Sequence, residues 1–317
     1  MRTGILVAAL VLCASGLLAQ QTGDLDVLHV QRNVWMIAGA GGNIALDIGD
    51  MGVVVVDTGL AQNADKVVAA IRKLSDKPIQ YIMNTHMHPD HTGGNIIVRK
   101  AGVTITGANV TGDINDATAG AAILAHQNVL NRVSAPSGKQ AAMAPDAWPT
   151  DTYVTGQKEL YFNDEPIVML HQPKAHTDGD SFVFFRRSDV VATGDIFVTT
   201  SYPYIDIENG GSIQGEIDAL NNLLDIVIPK HEEEGGTYVI PGHGRICDEY
   251  DVLEYRDMIT IVRDRVQNAI KKGMTLDQVR AAGFTKDFDG RWSAKSGFGT
   301  ADNFVTAVYK SLSAAKK

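Results

Sequence analysis

Four side chains that can bind a metal ion lie within six residues, directly after an apolar segment. They are His86, His88, Asp90 and His91, and residues 79–83 before them form a short apolar run that predicts a strand. A residue that follows a strand is held by the sheet while its side chain projects into open space. Imidazole and carboxylate groups suit a borderline cation such as Zn²⁺. The pattern therefore predicts a fold in which a buried strand ends at a metal site.

The segments around this motif predict both strands and helices. Residues 25–56 contain short apolar runs separated by glycine-rich turns, which indicates a β-meander. Residues 53–56 are four consecutive valines, typical of a strand buried on both faces. Apolar side chains recur at helical spacing over residues 63–74 and 252–270, and more strands are predicted over residues 159–192. We expect an α+β fold of two packed sheets covered by helices, although these patterns alone do not fix it.

Residues 108–150 are less regular than the rest of the chain. We predict a helix over residues 117–133. An excursion rich in Ala, Pro and Ser follows over residues 134–149. We expect the segment 117–148 to shape the pocket beside the metal site, but its sequence does not reveal a specificity.

Further motifs lie before and after the first one and carry a resemblance to a known family. The sequence resembles the metallo-β-lactamase superfamily. The resemblance covers residues 30–250 and implies an αββα sandwich of two mixed sheets, with the site at one edge. It rests on Asp57-Thr58-Gly59, Thr85-His86-x-His88-x-Asp90-His91, Ala175-His176-Thr177, Ala192-Thr193-Gly194-Asp195 and Pro241-Gly242-His243-Gly244.

The resemblance also implies two metal ions, each with its own ligands. His86, His88 and His176 would hold the first ion. Asp90, His91 and His243 would hold the second, and Asp195 would bridge the two. We expect two zinc ions per chain, with iron or manganese as alternatives.

Two dications roughly 3.5–4 Å apart can share a water molecule and lower its pKa, which supplies hydroxide at neutral pH. We expect this hydroxide to attack the carbonyl of a small ester, thioester or lactone. Asp90 would be the catalytic residue that orients the nucleophile and passes its proton to the leaving group. The commonest zinc β-lactamases carry cysteine and lysine where this chain has Asp195 and Val198, so we expect lactam hydrolysis to be weak at most. The sequence around Asp195 is more similar to glyoxalase II-like thioesterases and lactonases.

Three other classes share parts of this pattern. A sulfur dioxygenase of the same superfamily would use one iron, held by His86, His176 and Asp195. A nuclease shares the histidine motif, but a net charge of −9 is poorly suited to binding phosphates, and we expect no nucleic-acid partner. A metal-stabilised binding module without turnover is the third alternative.

The N-terminus has the composition of a secretory signal peptide. Arg2 is followed by an apolar run over residues 5–18 and by Ala19, after which we expect cleavage. The run is too short to span a bilayer comfortably, so we expect no stable membrane insertion afterwards. The product would be one domain, residues 20–317, in the periplasm or secreted. The sequence does not indicate an oligomeric state.

Five residues outside the ligand set also have expected roles. Asp57 is either an outer hydrogen-bond acceptor for a ligand histidine or a simple turn residue. We expect His171 to be structural, Tyr202 and Tyr204 to pack within their loop, and Cys247 to be a buried, unreactive thiol.

Overall fold

The computed structural model describes residues 25–104, 120–137, 141–232 and 235–314. These residues form two mixed β-sheets that pack face to face, with helices on both outer faces. The expected αββα fold class is confirmed. Residues 1–19, with the expected cleavage site, lie outside the described residues.

The first sheet has seven strands in sequence order, β1 to β7. Strands β1 to β4 pair antiparallel as a meander, whereas β4 to β7 pair in parallel. The parallel strands all end at one edge of the sheet. The bounds are Asp26–Gln31, Val34–Ala38, Ile44–Gly49, Gly52–Val56, Ile79–Met83, Ala122–His126 and Asp151–Tyr153.

The second sheet has five strands in the order β12, β11, β10, β9 and β8. Its pairs are antiparallel except for β11 with β12, which is parallel. Strands β9, β11 and β12 therefore run in one direction and end at the same edge. The bounds of β8 to β12 are Gln157–Phe162, Glu165–His171, Ser181–Phe185, Val190–Ala192 and Tyr238–Ile240.

Helices α1 and α3 cover the first sheet, and α5, α6 and α9 cover the second. The bounds of α1 to α9 are Ala64–Leu74, Pro89–Thr92, Asn95–Lys100, Gln127–Val133, Ile213–Leu224, Glu249–Lys271, Leu276–Ala282, Asp289–Trp292 and Ala301–Ala314. Within the described ranges, none of these helices combines the length and the apolar composition needed to cross a bilayer.

The four valines of β4 explain how the layers are joined. Val54 and Val56 belong to the core between the two sheets, and Val53 and Val55 belong to the core beneath α1. Burying a valine side chain stabilises a fold by roughly 1.5–3 kcal/mol relative to leaving it exposed. A polar residue at any of these four positions would lose that stabilisation on one face of the sheet. This explains why Val53 to Val56 include no polar residue.

The prediction of a helix over residues 117–133 is partly wrong. Ala122–His126 is a strand that pairs in parallel with β5 and β7, and only Gln127–Val133 is helical. The side chain of His126 accepts a hydrogen bond from the amide of Asn128 and so begins the helix. Alanine and leucine favour a helix locally, but pairing between two strands overrides that preference. Residues 117–119 lie outside the described residues.

Candidate metal centre

The residues expected as ligands follow strands that end at the same edge of the sandwich. His86, His88, Asp90 and His91 follow β5, and His176 follows β9. Asp195 follows β11, and His243 follows β12. Because β11 and β12 are parallel neighbours, their carboxyl ends bring Asp195 and His243 together across 48 residues of sequence.

The structure brings all seven side chains into two adjacent groups. One group contains His86, His88, His176 and Asp195, and the other contains Asp90, His91, Asp195 and His243. Within each group the candidate ligand atoms lie within 4.8 Å of one another, and Asp195 belongs to both. A cluster of this kind suggests a divalent metal.

Three buried atoms in the cluster make no well-aligned hydrogen bond with any described residue. They are Nε2 of His86, Nε2 of His91 and Oδ1 of Asp195, and the last two lie 3.1 Å from each other. A buried polar atom without a partner costs about 1–3 kcal/mol. Nitrogen and oxygen donors that converge in this way fit a divalent cation, which would supply the missing partner.

One ring nitrogen of three of the ligand histidines, His88, His91 and His176, is already engaged outside the cluster. Nδ1 of His91 lies 2.7 Å from Oδ2 of Asp57, and Nε2 of His88 lies 2.9 Å from Oδ2 of Asp206. Nδ1 of His176 lies 2.5 Å from the carbonyl oxygen of Tyr204. Such contacts fix the tautomer and the orientation of a ligand ring. They leave Nδ1 of His88 and Nε2 of His91 and His176 facing the cluster.

The contacts of Asp57 decide between its two interpretations, an outer hydrogen-bond acceptor for a ligand histidine or a simple turn residue. Its carboxylate accepts hydrogen bonds from the amide and the hydroxyl of Thr85, at 2.8 and 2.7 Å, besides its contact with His91. Its φ of 63° lies in the left-handed region, which aspartate tolerates better than most residues. Asp57 therefore both turns the chain after β4 and orients the histidine loop.

The protonation of two of the histidines suits a cation. Burial, followed by the neighbouring His91 and His176, holds the pKa of His86 well below its usual value. Burial and the neighbouring His88 lower the pKa of His176 to about 4. Both imidazoles are therefore neutral near pH 7, which is the form that binds a metal ion.

The pKa of His243, which lies beside Asp90 and Asp195, is shifted in the opposite direction. Burial lowers the pKa of His243, but Asp195 and Asp90 outweigh it and raise this pKa to about 9. Burial raises the pKa of Asp195, but His243 and His91 outweigh it and hold it well below its usual range. A proton on His243 neutralises part of the negative charge of Asp90 and Asp195, as a bound dication would.

Two glycines are required by close packing around the ligands. A Cβ atom at Gly42 would lie 2.3 Å from Cε1 of His91, and one at Gly242 would lie 2.1 Å from Oδ1 of Asp195. Any larger residue would displace a ligand candidate. Sequence reasoning singled out Gly242 only as part of a motif and did not find Gly42.

The cluster opens into a cleft of about 1010 Å³. Its walls include Asp90, Asp195 and His243 from the cluster, Tyr204 from the loop between β11 and α5, and one face of α9. Ser137, in the predicted excursion, also lines it, so this part of the excursion does border the pocket.

The structure also places the tyrosines, the histidine and the cysteine that were expected to lie outside the ligand set. Tyr202 is buried and packs against Phe304, as expected. Tyr204 is half-buried and packs against His88 and Phe298, and both tyrosines also border the cleft. His171 stacks on His126 at 3.6 Å between ring centres, a structural role. Cys247 is buried, and burial raises the pKa of its thiol to about 12, so it is unreactive.

Sequence reasoning missed Asp206, which lies 118 residues from its partner His88. The carboxylate of Asp206 also accepts hydrogen bonds from the amide and the side chain of Asn209, at 3.2 and 2.6 Å. Asp and Asn are both common turn residues, so no local signal marks this carboxylate as part of the site.

Two curated proteins are similar to this chain. A linear primary-alkylsulfatase from Pseudomonas sp. (strain ATCC 19151) is 22% identical over 271 residues, covering 72% of this chain and 47% of that protein. An (R)-specific secondary-alkylsulfatase from Pseudomonas sp. is 23% identical over 334 residues, covering 92% of this chain and 48% of that protein. The chain thus spans about half the length of the curated relatives it matches.

Solved structures with the same fold include members of two groups. A stereoselective inverting sec-alkylsulfatase from Pseudomonas sp. matches with a TM-score of 0.66 and 16% identity, over 90% of this chain and 50% of that one. A metallo-beta-lactamase from Pontibacter korlensis matches with a TM-score of 0.54 and 14% identity, over 74% and 99% of the two chains. At these identities the likeness shows the fold alone. Residues 30–243, more than half of the sequence, match the metallo-beta-lactamase superfamily, and the chain therefore belongs to that superfamily.

Proposed function

We propose that this protein is a metal-dependent hydrolase of small-molecule esters that holds two divalent cations, most suitably zinc. One observation carries the proposal. The two ligand groups share Asp195, and the inner atoms of His86, His91 and Asp195 are buried without a well-aligned partner. Mixed nitrogen and oxygen donors suit zinc, with iron or manganese as alternatives.

The residues of the chain divide the work. Bound here, two cations would supply an activated water and polarise the electrophilic centre of the substrate. Asp195 would set the distance between the two ligand groups. Asp90 borders the cleft, with Oδ2 3.1 Å from Nε2 of His243 and 32% of its side chain exposed. It is therefore placed to orient the attacking water and to accept its proton.

The reaction balances without any further co-reactant. In ester hydrolysis, the oxygen of water forms a bond to the acyl carbon, and the bond from that carbon to the leaving oxygen breaks. The proton held on Asp90 passes to the leaving oxygen, which departs as an alcohol. Carboxyl esters and lactones follow this scheme directly. In a thioester the bond from the acyl carbon to sulfur breaks instead, the proton passes to sulfur, and the leaving group departs as a thiol. Asp195 and Val198 make lactams the least favoured substrates.

Sulfate esters are a second candidate substrate class. Both curated relatives described above are named alkylsulfatases, and one alignment takes in 92% of this chain. With a sulfate ester, attack of the water oxygen on sulfur would break the sulfur–oxygen ester bond, and attack on the alkyl carbon would break the carbon–oxygen bond. By either route the products are an alcohol and hydrogen sulfate. The same two ligand groups and Asp90 would serve this reaction.

The test combines metal content with turnover. Purified protein would be assayed by elemental analysis and then offered nitrocefin, an acyl-lactone, a thioester and decyl sulfate. We expect about two zinc ions per chain and hydrolysis of at least one ester. One iron per chain with O₂ uptake on a persulfide would instead establish the sulfur dioxygenase alternative.

A pair of variants separates the role of Asp90 from a general loss of charge. Asp90→Asn should lower turnover about 10²–10⁴-fold, the range for loss of a general base. Asp146→Asn, whose side chain is 63% exposed and outside the cleft, should leave turnover unchanged. Equal rates for both variants and the parent would remove Asp90 from the mechanism.

Export is also part of the proposal. Arg2, the apolar run over residues 5–18 and Ala19 support removal of residues 1–19 and a periplasmic or secreted product. Mass spectrometry of protein recovered from the periplasm should find Gln20 as the first residue. Intact chains confined to the cytosolic fraction would overturn this part.

A further inference from the structure

An aromatic row extends from the metal cluster along one wall of the cleft. The ring of Tyr204 stacks on that of His88 at 5.7 Å between centres, with 29° between their planes. Phe298 continues the row at 4.4 Å from Tyr204, with 30° between their planes. The row therefore begins at a ligand candidate and leads away from it along the cleft.

One face of helix α9 forms another part of the cleft wall. Asn303, Thr306, Ala307 and Lys310 recur at helical spacing, and all four line the cleft. The opposite face is anchored in the core through Phe304, Val305 and Val308. At 1.5 Å per residue, the stretch from Asn303 to Lys310 is roughly 10 Å long. The same cleft therefore extends from the ligand candidates to this face of α9.

Phe298 is exposed in a way that packing within the chain does not explain. It is 65% exposed, and among the large apolar side chains that are exposed in the described residues, it alone lines the cleft. Its contact with Tyr204 holds one side of the ring against the wall. The rest of the ring is available to an apolar group that enters the cleft.

We propose that Tyr204, Phe298 and the cleft face of α9 form a subsite for an elongated apolar body, about 10 Å long, attached to the group that is hydrolysed. This inference rests on the proposed function and names its substrate class. The rings of Tyr204 and Phe298, with Ala307 of α9, cover the body on their side of the cleft, while Asn303, Thr306 and Lys310 keep the rest of the α9 face polar. Tyr204 places the near end of the body beside His88. Substrates with a short or strongly polar body leave the subsite unfilled.

Length dependence is the signature of such a subsite. Each methylene group buried against the wall should increase binding about fourfold. The increase should level off once the chain is longer than the roughly 10 Å of the helix face. A cleft that holds only the reacting group would show no dependence on length.

The experiment measures binding and turnover separately. Straight-chain alkane-1-sulfonates of four to twelve carbons, which cannot be hydrolysed at sulfur as esters can, would be titrated into the full-length protein by calorimetry. Esters of the class that is turned over would be compared through kcat/KM across the same chain lengths. We expect affinity and kcat/KM to rise together with length and then to level off.

Variants test whether the dependence of binding on chain length comes from Phe298. Phe298→Ala should reduce the gain in affinity per methylene group, and Phe298→Tyr should retain most of it, because the ring remains. Tyr250→Ala is the matched control, since Tyr250 is 67% exposed but lies outside the cleft. It should bind the sulfonates as the parent protein does, and thermal melting would confirm that all three variants are folded.

The outcomes distinguish the subsite from the proposed reaction. Length-dependent sulfonate binding that Phe298→Ala weakens, without turnover of any ester, would support the subsite and reject the hydrolase. Ester turnover with no dependence on length would support the hydrolase and reject the subsite. Binding that is absent, independent of length or equal in Phe298→Ala would also reject the subsite.

Discussion

Nε2 of His88 lies 2.9 Å from Oδ2 of Asp206, a buried carboxylate on the far side of the ring from the metal cluster. This contact leaves Nδ1 of His88 facing the cluster, 2.8 Å from Nε2 of His176. The side chain and amide of Asn209 hold Asp206 in turn. The orientation of a ligand candidate that follows a strand of the first sheet is thus set by the loop between β11 of the second sheet and α5.

Replacing Asp206 should weaken metal binding without removing a ligand. Asp206→Asn cannot accept the same hydrogen bond with a full negative charge, so we expect zinc affinity to fall about 10–100-fold. Competition against a zinc chelator would measure the change. Glu208→Gln is the matched control, because Glu208 borders the same cleft but is exposed. Parent-like affinity in Asp206→Asn would show that the contact is not needed.

A methyl group at Gly242 should disrupt the shared ligand. The added Cβ of Gly242→Ala would lie 2.1 Å from Oδ1 of Asp195, so Asp195 must move. We expect fewer than two zinc ions per chain and a large loss of turnover. Gly156→Ala places its Cβ where no atom lies within 4 Å and should behave as the parent does. Full metal content in Gly242→Ala would contradict the arrangement of Asp195 described here.

Removing the metal should lower stability because the cluster joins loops from both sheets. A ligand present at 1,000 times its Kd stabilises the folded state by about 4 kcal/mol. Prolonged dialysis against a chelator should therefore lower the Tm, and adding zinc should restore it. Calorimetry of both forms would measure this, and an unchanged Tm would mean that the cluster holds no tightly bound cation.

Asp47 should make the stability of the protein depend on pH. It is fully buried on β3, its Oδ2 accepts a hydrogen bond from Asn163 at 2.7 Å, and its Oδ1 has no partner among the described residues. Burial raises the pKa of Asp47 to about 7, with Glu165 adding to the increase. Because the folded state holds this proton more tightly than the unfolded chain, its contribution is complete at low pH. It is lost as the pH rises through about 7.

Asp47→Asn removes this ionisation and keeps an oxygen for Asn163. We expect the variant to be more stable than the parent at pH 8.5, by roughly 4 kcal/mol for a shift of about three pKa units. The two should differ much less at pH 5. Urea unfolding at both pH values would measure the difference. Asp50→Asn, in the exposed turn after β3, is the control and should show no such change with pH.

Much of the metal cluster could be predicted because its information is local. His86, His88, Asp90 and His91 lie within one loop, and His176, Asp195 and His243 each follow a predicted strand within a recognisable motif. The αββα architecture came from the family resemblance, since the periodic patterns gave only strands and helices. The valines of residues 53–56 did correctly indicate a strand buried on both faces.

The sequence by itself therefore determined the fold family, the strands that carry the ligand candidates and the ligand candidates themselves. Only the tertiary structure decided that residues 122–126 form a strand, because pairing with β5 and β7 outweighs local helix preference. It also decided that Asp206 orients His88 and that Tyr204 and Phe298 line the cleft. These are contacts between residues far apart in sequence, and no local pattern encodes the packing that brings them together.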